Sequence, residues 1–335
     1  MIDVLIVDDS IFMRTVLRDI LSSDKDIRVV GTARNGREAL NLIPELRPSV
    51  VTLDIEMPVM DGLSTLQEIM KSRPLPVIML SSLTHEGAKI TMDALDMGAI
   101  DYIPKPSSST KINAIKNQLI EKIKVSSRVR VQPPRKRRVK LRKKAPSLSP
   151  SDKIVAIGAS TGGPKALVEV LSGLPENIPP TLVVQHMPSP FTTHFAARLD
   201  KHTLFKVKEA EEGDRLEEGL CLLAPGDWHM NVTKTEKIHL HKGPPKFNLR
   251  PTVDEMMVST AERYGDRTVG VILTGMGDDG VLGMKEIRAQ KGFNIAQDER
   301  TCVIFGMPKA AIRAKVVDLV APLDKIADEI VRRCW

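Results

Sequence analysis

The sequence lacks an apolar stretch long enough to cross a membrane or to act as a secretion signal. No run approaches eighteen apolar residues, and the apolar start, MIDVLIVDDS, is interrupted by Asp8 and Asp9. We therefore expect a cytoplasmic protein. Cysteine is scarce as well. Cys221, Cys302 and Cys334 lie far apart, without the paired spacing of a zinc site or a redox couple, and we expect inert thiols.

Acidic residues are missing from one segment, residues 125–151, which contains ten Lys or Arg and no Asp or Glu. Because the whole chain has a net charge of +7, the rest of the chain is slightly negative, and we expect no nucleic-acid partner. Four prolines and several serines in this segment predict a flexible linker. With 335 residues and 42% hydrophobic content, the chain is long enough for two domains, which we place at 1–124 and 152–335.

The N-terminal part alternates strand-like and helical patterns. Five apolar runs, DVLIVDD, IRVVGTA, PSVVTLDIEMP, LPVIMLSS and DYIPKP, are separated by amphipathic stretches. This order predicts an α/β domain with a parallel sheet that is covered on both faces.

The C-terminal part repeats this order with KIVAIGAS, TLVVQHM and RTVGVILTGMG as buried strands. The stretch CLLAPGDWHMNVTKTEKIHLHKG has alternating apolar positions and turn residues instead, which predict an antiparallel hairpin. We therefore expect a second, mainly parallel α/β domain with a hairpin.

Polar side chains stand at the ends of the N-terminal strands: Asp8 and Asp9, Asp54, Ser81 and Lys105. The carboxyl ends of parallel strands share one edge of a sheet, where ligands of α/β folds bind. Three crowded carboxylates would repel one another unless a hard divalent cation such as Mg²⁺ bound them. A lysine and a hydroxyl beside that cation could bind a transferred phosphoryl group, with Asp54 as its acceptor.

The motifs VLIVDDS, LDIEMPVMDG, MLSS and DYIPKP resemble the receiver domain of two-component response regulators, which is a flavodoxin-like (βα)5 fold. The resemblance covers residues 1–122 and implies that Asp54 is phosphorylated by a histidine kinase. It also implies that Asp8, Asp9 and the backbone carbonyl of Glu56 bind Mg²⁺ together with Asp54. Ser81 would be the switch hydroxyl, Lys105 would contact the phosphoryl group, and Tyr102 would be the switch aromatic residue.

The stretch IVAIGASTGGPKAL predicts a strand that runs through a glycine turn into a helix. It does not have the spacing of a phosphate loop, because Ser160 replaces the second glycine of GxGxxG and Pro164 stands where a Walker loop has lysine. A serine on such a turn could be a nucleophile beside the backbone N–H groups of a helix start. Alternatively, Ser160 or Thr161 caps the helix, and the turn alone does not separate these hypotheses.

A nucleophilic serine needs a base and an orienting acid. His186 ends the apolar strand TLVVQHM, at the position equivalent to that of Ser160, and is the candidate base. The loop after VGVILTG contains Asp278 and Asp279, and Asp254 begins a probable helix. Spacing does not rank Asp278 against Asp279.

The His239-x-His241 pair could alternatively bind zinc, but no Cys and no Glu at HExxH spacing accompanies it.

The motifs AIGASTGGPKAL, VVQHMP, LAPGDWHM, RPTVD and ILTGMGDDG resemble the CheB methylesterase family over residues 152–335. The resemblance implies that Ser160 is the nucleophile, His186 the general base and Asp279 the orienting acid. Met276, through its backbone, and Thr161 would support the oxyanion region. Asp278 stands where relatives can have Asn.

The resemblance further implies hydrolysis of glutamyl methyl esters on chemoreceptors, deamidation of receptor glutamines, and no cofactor for ester hydrolysis. The partners would be the receptors and a chemotaxis histidine kinase. Two other functions are alternatives to this one. A DNA-binding regulator would carry its basic residues on a helical domain, and a catalytically silent receptor-binding adaptor would share the fold.

Overall fold

The computed structural model describes residues 1–105, 112–129, 131, 151–245 and 249–335, without the side chains of 112–114. The chain forms two compact units that divide between Arg137 and Arg138. Most of the predicted linker, residues 130 and 132–150, lies outside the described residues, and the boundaries at 124 and 152 stay predictions. Within the described residues, no helix combines the length and the apolar content that a membrane crossing requires.

The described part of the first unit alternates five strands with five helices. The strands are β1 (Ile2–Val7), β2 (Ile27–Ala33), β3 (Val50–Asp54), β4 (Val77–Ser81) and β5 (Asp101–Pro104). The helices are α1 (Ile11–Ser22), α2 (Gly36–Leu46), α3 (Gly62–Ser72), α4 (His85–Met97) and α5 (Ile112–Ser126). This confirms the predicted α/β pattern.

The five strands form one parallel sheet in the order β2-β1-β3-β4-β5. Strands β3 and β4 are buried along their whole length, which explains their continuous apolar sequences. On one face, α1 and α5 pack apolar side chains such as Leu17 and Leu119 against Ile6 and Leu80 of the sheet. All the strand ends that carry polar residues consequently meet at one edge.

Helices α1 to α4 each begin at a side chain that accepts a hydrogen bond from a peptide N–H of the first turn. These N-caps are Ser10, Asn35, Asp61 and Thr84.

In its described residues, the second unit has nine strands and six helices. The strands are β6 (Ile154–Ala159), β7 (Thr181–Gln185), β8 (Lys206–Glu209), β9 (Leu220–Leu223), β10 (His229–Val232), β11 (Ile238–His241), β12 (Thr268–Ile272), β13 (Phe293–Gln297) and β14 (Leu319–Ala321). The helices are α6 (Gly163–Ser172), α7 (Phe191–His202), α8 (Val253–Tyr264), α9 (Val281–Ala289), α10 (Met307–Arg313) and α11 (Leu323–Cys334).

Seven of these strands form a parallel sheet in the order β14-β13-β12-β6-β7-β9-β8. The three central strands β12, β6 and β7 are those that the sequence predicts, and their carboxyl ends are neighbours. This mainly parallel α/β unit differs from the helical domain that the DNA-binding alternative requires.

The predicted hairpin is too long. Strands β10 and β11 do form an antiparallel pair, with His229 opposite His241. Leu220–Leu223, however, pairs in parallel with β7 and β8 as part of the main sheet. The apolar sequence CLLA belongs to a buried sheet strand, and only the part after Trp228 turns back on itself.

Cys221 and Cys334 are buried and Cys302 is half-buried, and all three are free thiols. Burial raises the pKa of Cys302 and Cys334 to about 12, and that of Cys221 also rises well above its ordinary value. Little reactive thiolate therefore forms at neutral pH, as expected of inert thiols.

Candidate phospho-acceptor site and candidate active site

Three carboxylates cluster at the carboxyl edge of the first sheet. Asp8 and Asp9 follow β1, Asp54 ends β3, and oxygen atoms of all three lie within 4.8 Å of one another. Asp8 and Asp54 are buried, whereas Asp9 is exposed. Lys105 Nζ lies 2.6 Å from Asp54 Oδ2 and 3.0 Å from Asp8 Oδ2. One ammonium against three carboxylates leaves the cluster with excess negative charge.

Burial raises the pKa of Asp54 from 3.8 to about 6, and the neighbouring Asp8 charge adds to this rise, although Lys105 opposes it. Burial by itself would lower the pKa of Lys105, but its contacts with Asp54 and Asp8 outweigh burial and raise it.

A hard divalent cation fits this donor set, because it takes oxygen ligands and would neutralise the remaining charge. The buried Oδ2 atoms of Asp8 and Asp54 contact only the Lys105 ammonium within the described chain. Glu56 is exposed two residues after Asp54, and its side chain does not belong to the cluster. The role of its carbonyl stays a prediction.

The two switch candidates lie on β4 and β5. Ser81 is buried at the end of β4, and its Oγ lies 2.7 Å from Thr91 Oγ1 and 3.2 Å from the carbonyl oxygen of Gly87. Tyr102 is buried on β5, and this burial raises its pKa well above the usual range. Lys122 Nζ lies 5.3 Å from the centre of its ring. Ser81 thus contacts the first turns of α4.

In the second unit, Ser160 stands on the turn between β6 and α6. Gly162, in the left-handed region with φ of 78°, is the N-cap of α6, and no side chain caps this helix. The hypothesis that Ser160 or Thr161 is present to cap α6 is therefore wrong. Ser160 is half-buried, and its peptide N–H donates to the carbonyl of Thr274 at 3.0 Å. The turn is thereby joined to the end of β12.

Two glycines allow close approach around this turn. A Cβ on Gly275 would lie 2.8 Å from Ser160 Cβ and 2.3 Å from Met307 Sδ. A Cβ on Gly163 would lie 2.0 Å from Gln185 Oε1. The glycines therefore provide clearance beside the serine.

His186 follows β7, next to the serine turn, and its peptide N–H donates to the carbonyl of Ala159 at 3.1 Å. Its Nε2 lies 2.7 Å from Asp279 Oδ2, and both side chains are almost fully buried, with 5% and 3% exposure. Ser160 Oγ makes no hydrogen bond to another described residue. Because Asp279 contacts Nε2, Nδ1 is the imidazole nitrogen left to accept a proton.

Asp279 also accepts two hydrogen bonds from the first peptide groups of α8. The N–H of Val253 donates to Oδ2 at 2.7 Å, and that of Asp254 donates to Oδ1 at 3.0 Å. Burial raises the pKa of Asp279, but His186 and the two peptide groups outweigh burial, so the pKa is lower than 3.8. Asp279 is therefore a carboxylate at neutral pH.

The other candidate acids occupy different positions. Asp278 is exposed. Asp254 is buried on α8, where its side chain accepts hydrogen bonds from Gly280 and Gly283. The structure thus separates the two aspartates that spacing could not rank.

Thr161 and Met276 flank the serine turn and the aspartate loop. Thr161 is buried, and its carbonyl accepts a hydrogen bond from Thr274 Oγ1 at 3.0 Å. Met276 is half-buried between Gly275 and Gly277.

One residue that the sequence analysis missed is Gln185, which is buried at the end of β7. Its Nε2 donates to the carbonyl of Ser160 at 3.0 Å and to that of His186 at 3.2 Å. A polar residue closing an apolar strand directly before the candidate base was the available signal.

The histidine pair at 239 and 241 does not form a metal site in the described part of the chain. His229 and His241 stack with ring centres 5.3 Å apart, and His239 lies beside Glu212. The acidic cluster of the first unit is the one described group of three or more possible ligands that converge.

Comparisons with known proteins agree with this architecture. Residues 4–116 match the response regulator receiver domain, and residues 155–330 match the CheB methylesterase family. Among curated proteins, the protein-glutamate methylesterase/protein-glutamine glutaminase of Pyrococcus abyssi is 51% identical, over 99% of this chain and 93% of its own. The protein of that name from Halalkalibacterium halodurans is 44% identical, over 99% and 98%.

A crystal structure of the Thermotoga maritima CheB methylesterase catalytic domain is 42% identical and has a TM-score of 0.52, covering 55% of this chain and 99% of that one. A family model that matches more than half of the chain and relatives that cover nearly all of it lead to one conclusion. The chain belongs to the CheB methylesterase family and carries a receiver domain before its catalytic domain.

Proposed function

We propose that this chain is a phosphorylation-regulated hydrolase that removes methyl esters from glutamate side chains of chemoreceptors and releases methanol. The observation that carries the proposal is the buried His186–Asp279 pair, with 2.7 Å between Nε2 and Oδ2, beside the turn that presents Ser160. Ser160, His186 and Asp279 follow β6, β7 and β12, which are neighbours in the sheet. The names of the two curated relatives support the same activity.

In the proposed mechanism, Ser160 Oγ attacks the ester carbonyl while His186 Nδ1 takes its proton. Asp279 orients the imidazole through Nε2 and stabilises its charged form. Met276 and Thr161 would support the developing oxyanion through backbone N–H groups. The imidazolium then donates its proton to the leaving methoxide, so methanol departs and an acyl-enzyme forms.

Water completes the reaction. His186 removes a proton from the water as it attacks the acyl-enzyme, and the collapse returns that proton to Ser160 and frees a glutamic acid, which releases its own proton to solvent and becomes the carboxylate. No step needs a cofactor. Deamidation of a receptor glutamine follows the same steps with ammonia as the leaving group, as the glutaminase name of the relatives suggests.

We further propose that Asp54 is phosphorylated by the chemotaxis histidine kinase and that this modification increases access to the esterase site. Mg²⁺, when bound, would neutralise charge on the transferring phosphoryl group. Asp8, Asp9 and Asp54, with the carbonyl of Glu56, would bind it. Lys105 would contact the phosphoryl oxygens, and Ser81 and Tyr102 would respond to them. We also propose that the protein is located in the cytoplasm.

The test of catalysis is Ser160→Ala in the full chain, assayed by methanol release from methylated receptors. We expect loss of at least about 10³-fold in kcat, because the nucleophile is gone. Ser172→Ala is the matched control, since Ser172 is a buried serine at the other end of α6 whose hydroxyl donates to the backbone carbonyl of Glu169. Activity retained in Ser160→Ala would show that Ser160 is not the nucleophile, and methanol release absent from the unsubstituted chain as well would support the silent-adaptor alternative.

The test of regulation uses a small-molecule phosphodonor with Mg²⁺. Methanol release should rise when the phosphodonor is added to the unsubstituted chain, and it should stay constant in Asp54→Asn. An equal rise in both proteins would show that Asp54 is not the acceptor.

A further inference from the structure

Helices α8 and α9 begin side by side, and neither has a side-chain cap from its own N-cap residue. They pack closely, because a Cβ on Gly283 of α9 would lie 2.4 Å from Met257 Cβ of α8. The start of α8 is instead capped by Asp279, which accepts from Val253 and Asp254.

The start of α9 is capped in return by Asp254. One oxygen, Asp254 Oδ1, accepts from the peptide N–H groups of Gly280 and Gly283, both at 2.9 Å. Asp254 is 3% exposed, so water cannot easily replace these bonds. Each aspartate therefore caps the helix at which the other stands, and each carboxylate lies in the favourable field of a helix N-terminus.

Gly280 directly follows Asp279. The hydrogen bond from the Gly280 N–H to Asp254 therefore attaches the peptide group between Asp279 and Gly280 to α8. The opposite side of Asp279 joins Asp278 and Gly277, which are exposed. Without Asp254, the loop would lose its buried attachment at the residue next to Asp279. The carboxylate could then move away from His186.

Resting on the proposed function, we infer that Asp254 is a positioning residue for the reaction: by capping the start of α9 at Gly280 and Gly283, it places Asp279 against His186. The sequence also offers Asp254 as a candidate for the orienting acid, and its contacts with Gly280 and Gly283 fit the positioning role instead.

The experiment compares Asp254→Ala, Asp254→Asn and Asn294→Ala in the full chain. Asp254→Asn keeps an oxygen that can accept from both glycine N–H groups. Asn294 is the matched control, because it is fully buried, its side chain donates to the carbonyls of Met284 on α9 and Val316, and it lies outside the site. Its loss should destabilise the same helix without displacing Asp279.

We expect Asp254→Ala to lower kcat by about 10²-fold with little change in KM, since a misplaced catalytic group affects mainly the transition state. The acid limb of the pH–rate profile should move to lower pH, because the imidazolium loses stabilisation by the carboxylate. Asp254→Asn should restore most of the rate, and Asn294→Ala should leave the profile unchanged.

A second measurement does not depend on activity. The imidazole N–H of His186 that bonds to Asp279 should give a downfield proton resonance, assigned by its absence in His186→Gln. Asp254→Ala should lose or shift this resonance, and Asp254→Asn should keep it.

The outcomes separate the two proposals. If Ser160→Ala abolishes methanol release while Asp254→Ala keeps both the rate and the resonance, only the positioning role is wrong. If Ser160→Ala remains active, the esterase mechanism is wrong, and the resonance still tests the contact. If Asp254→Ala does not fold, an unchanged rate, profile and resonance in Asp254→Leu, which has no acceptor but fills the volume, would overturn the inference.

Discussion

Asp279 Oδ2 contacts two groups at once, His186 Nε2 and the peptide N–H of Val253, each at 2.7 Å. Its other oxygen accepts from Asp254. An asparagine at this position has one oxygen and one NH2 group, and the NH2 group would face a group that donates a hydrogen bond and could not accept from it. Both the orientation of His186 and the capping of α8 therefore depend on the carboxylate.

Asp279→Asn should therefore reduce kcat for methanol release by about 10³- to 10⁴-fold. It should also lower the free energy of unfolding by about 1–3 kcal/mol, because a buried donor loses its acceptor. Steady-state kinetics and urea denaturation measure the two effects. Asp278→Asn is the control, since this neighbour is exposed. Equal losses in both variants would contradict the assignment of Asp279.

Gly163→Ala should disturb Gln185, because the added Cβ would lie 2.0 Å from Oε1 of this buried side chain. Gln185 bridges the carbonyls of Ser160 and His186, so we expect about a 10²-fold lower kcat with a stability loss of about 1–3 kcal/mol. Gly173→Ala, at the other end of α6, places its Cβ 2.8 Å from Ala327 Cβ and serves as a control. Gly173→Ala should lower the free energy of unfolding but retain the activity per folded molecule. An activity loss in Gly173→Ala as large as that in Gly163→Ala would contradict a role for the hydrogen bonds of Gln185.

The raised pKa of Asp54 makes the stability of the first unit depend on pH. The folded chain binds the proton on Asp54 more tightly than the unfolded chain does. Protonation of Asp54 therefore contributes fully to the free energy of unfolding below pH 3.8, and this contribution is lost as the pH rises through about 6. In the absence of divalent cations, the free energy of unfolding of Asp54→Asn should increase by up to about 3 kcal/mol between pH 4 and pH 7, relative to that of the unsubstituted chain.

Hydrogen exchange of the β1 and β3 amides measures this difference within the first unit. Asp93→Asn, an exposed carboxylate on α4, should show no such trend. Addition of Mg²⁺ at pH 7 should narrow the gap, because the cation replaces the missing positive charge. A gap that is constant from pH 4 to pH 7 would show that Asp54 ionises normally.

Lys122 and Lys124 lie on the same helix but differ in burial. Lys122 Nζ lies 2.9 Å from Asp101 Oδ2, and the two side chains are only 10% and 9% exposed. Lys122→Met should cost about 3–5 kcal/mol, because it leaves a buried carboxylate unpaired. Lys124→Met breaks pairs with Asp24 and Asp26 that are partly open to solvent, and it should change stability less. Chemical denaturation compares them, and Asp101→Leu added to Lys122→Met should recover part of the loss.

The sequence was sufficient for the central strands of both sheets, because buried parallel strands are continuous apolar runs. It was insufficient for strands that depend on their neighbours. Lys206–Glu209 is mostly charged at the sheet edge, and Leu319–Ala321 has only three residues. The sequence predicts Leu220–Leu223 as part of the hairpin, whereas the strand belongs to the main sheet, because an apolar run does not reveal which strand it pairs with.

The site shows the same division. Strand ends brought Ser160, His186 and the aspartate loop to one edge, as topology requires. The bridge by Gln185 and the exchange of caps between Asp254 and Asp279 depend on side-chain directions and on helix packing across 25 residues, which no local pattern encodes.

The mutual capping of α8 and α9 also limits how this family can change over time. A homologue that is no longer selected for esterase activity could lose Ser160 with little loss of stability, because Ser160 Oγ makes no hydrogen bond to another described residue. Loss of Asp279 alone would expose the start of α8 and loss of Asp254 the start of α9. Inactive descendants should therefore substitute the serine first and keep both aspartates, so an intact aspartate pair in a genome is poor evidence that the enzyme still works.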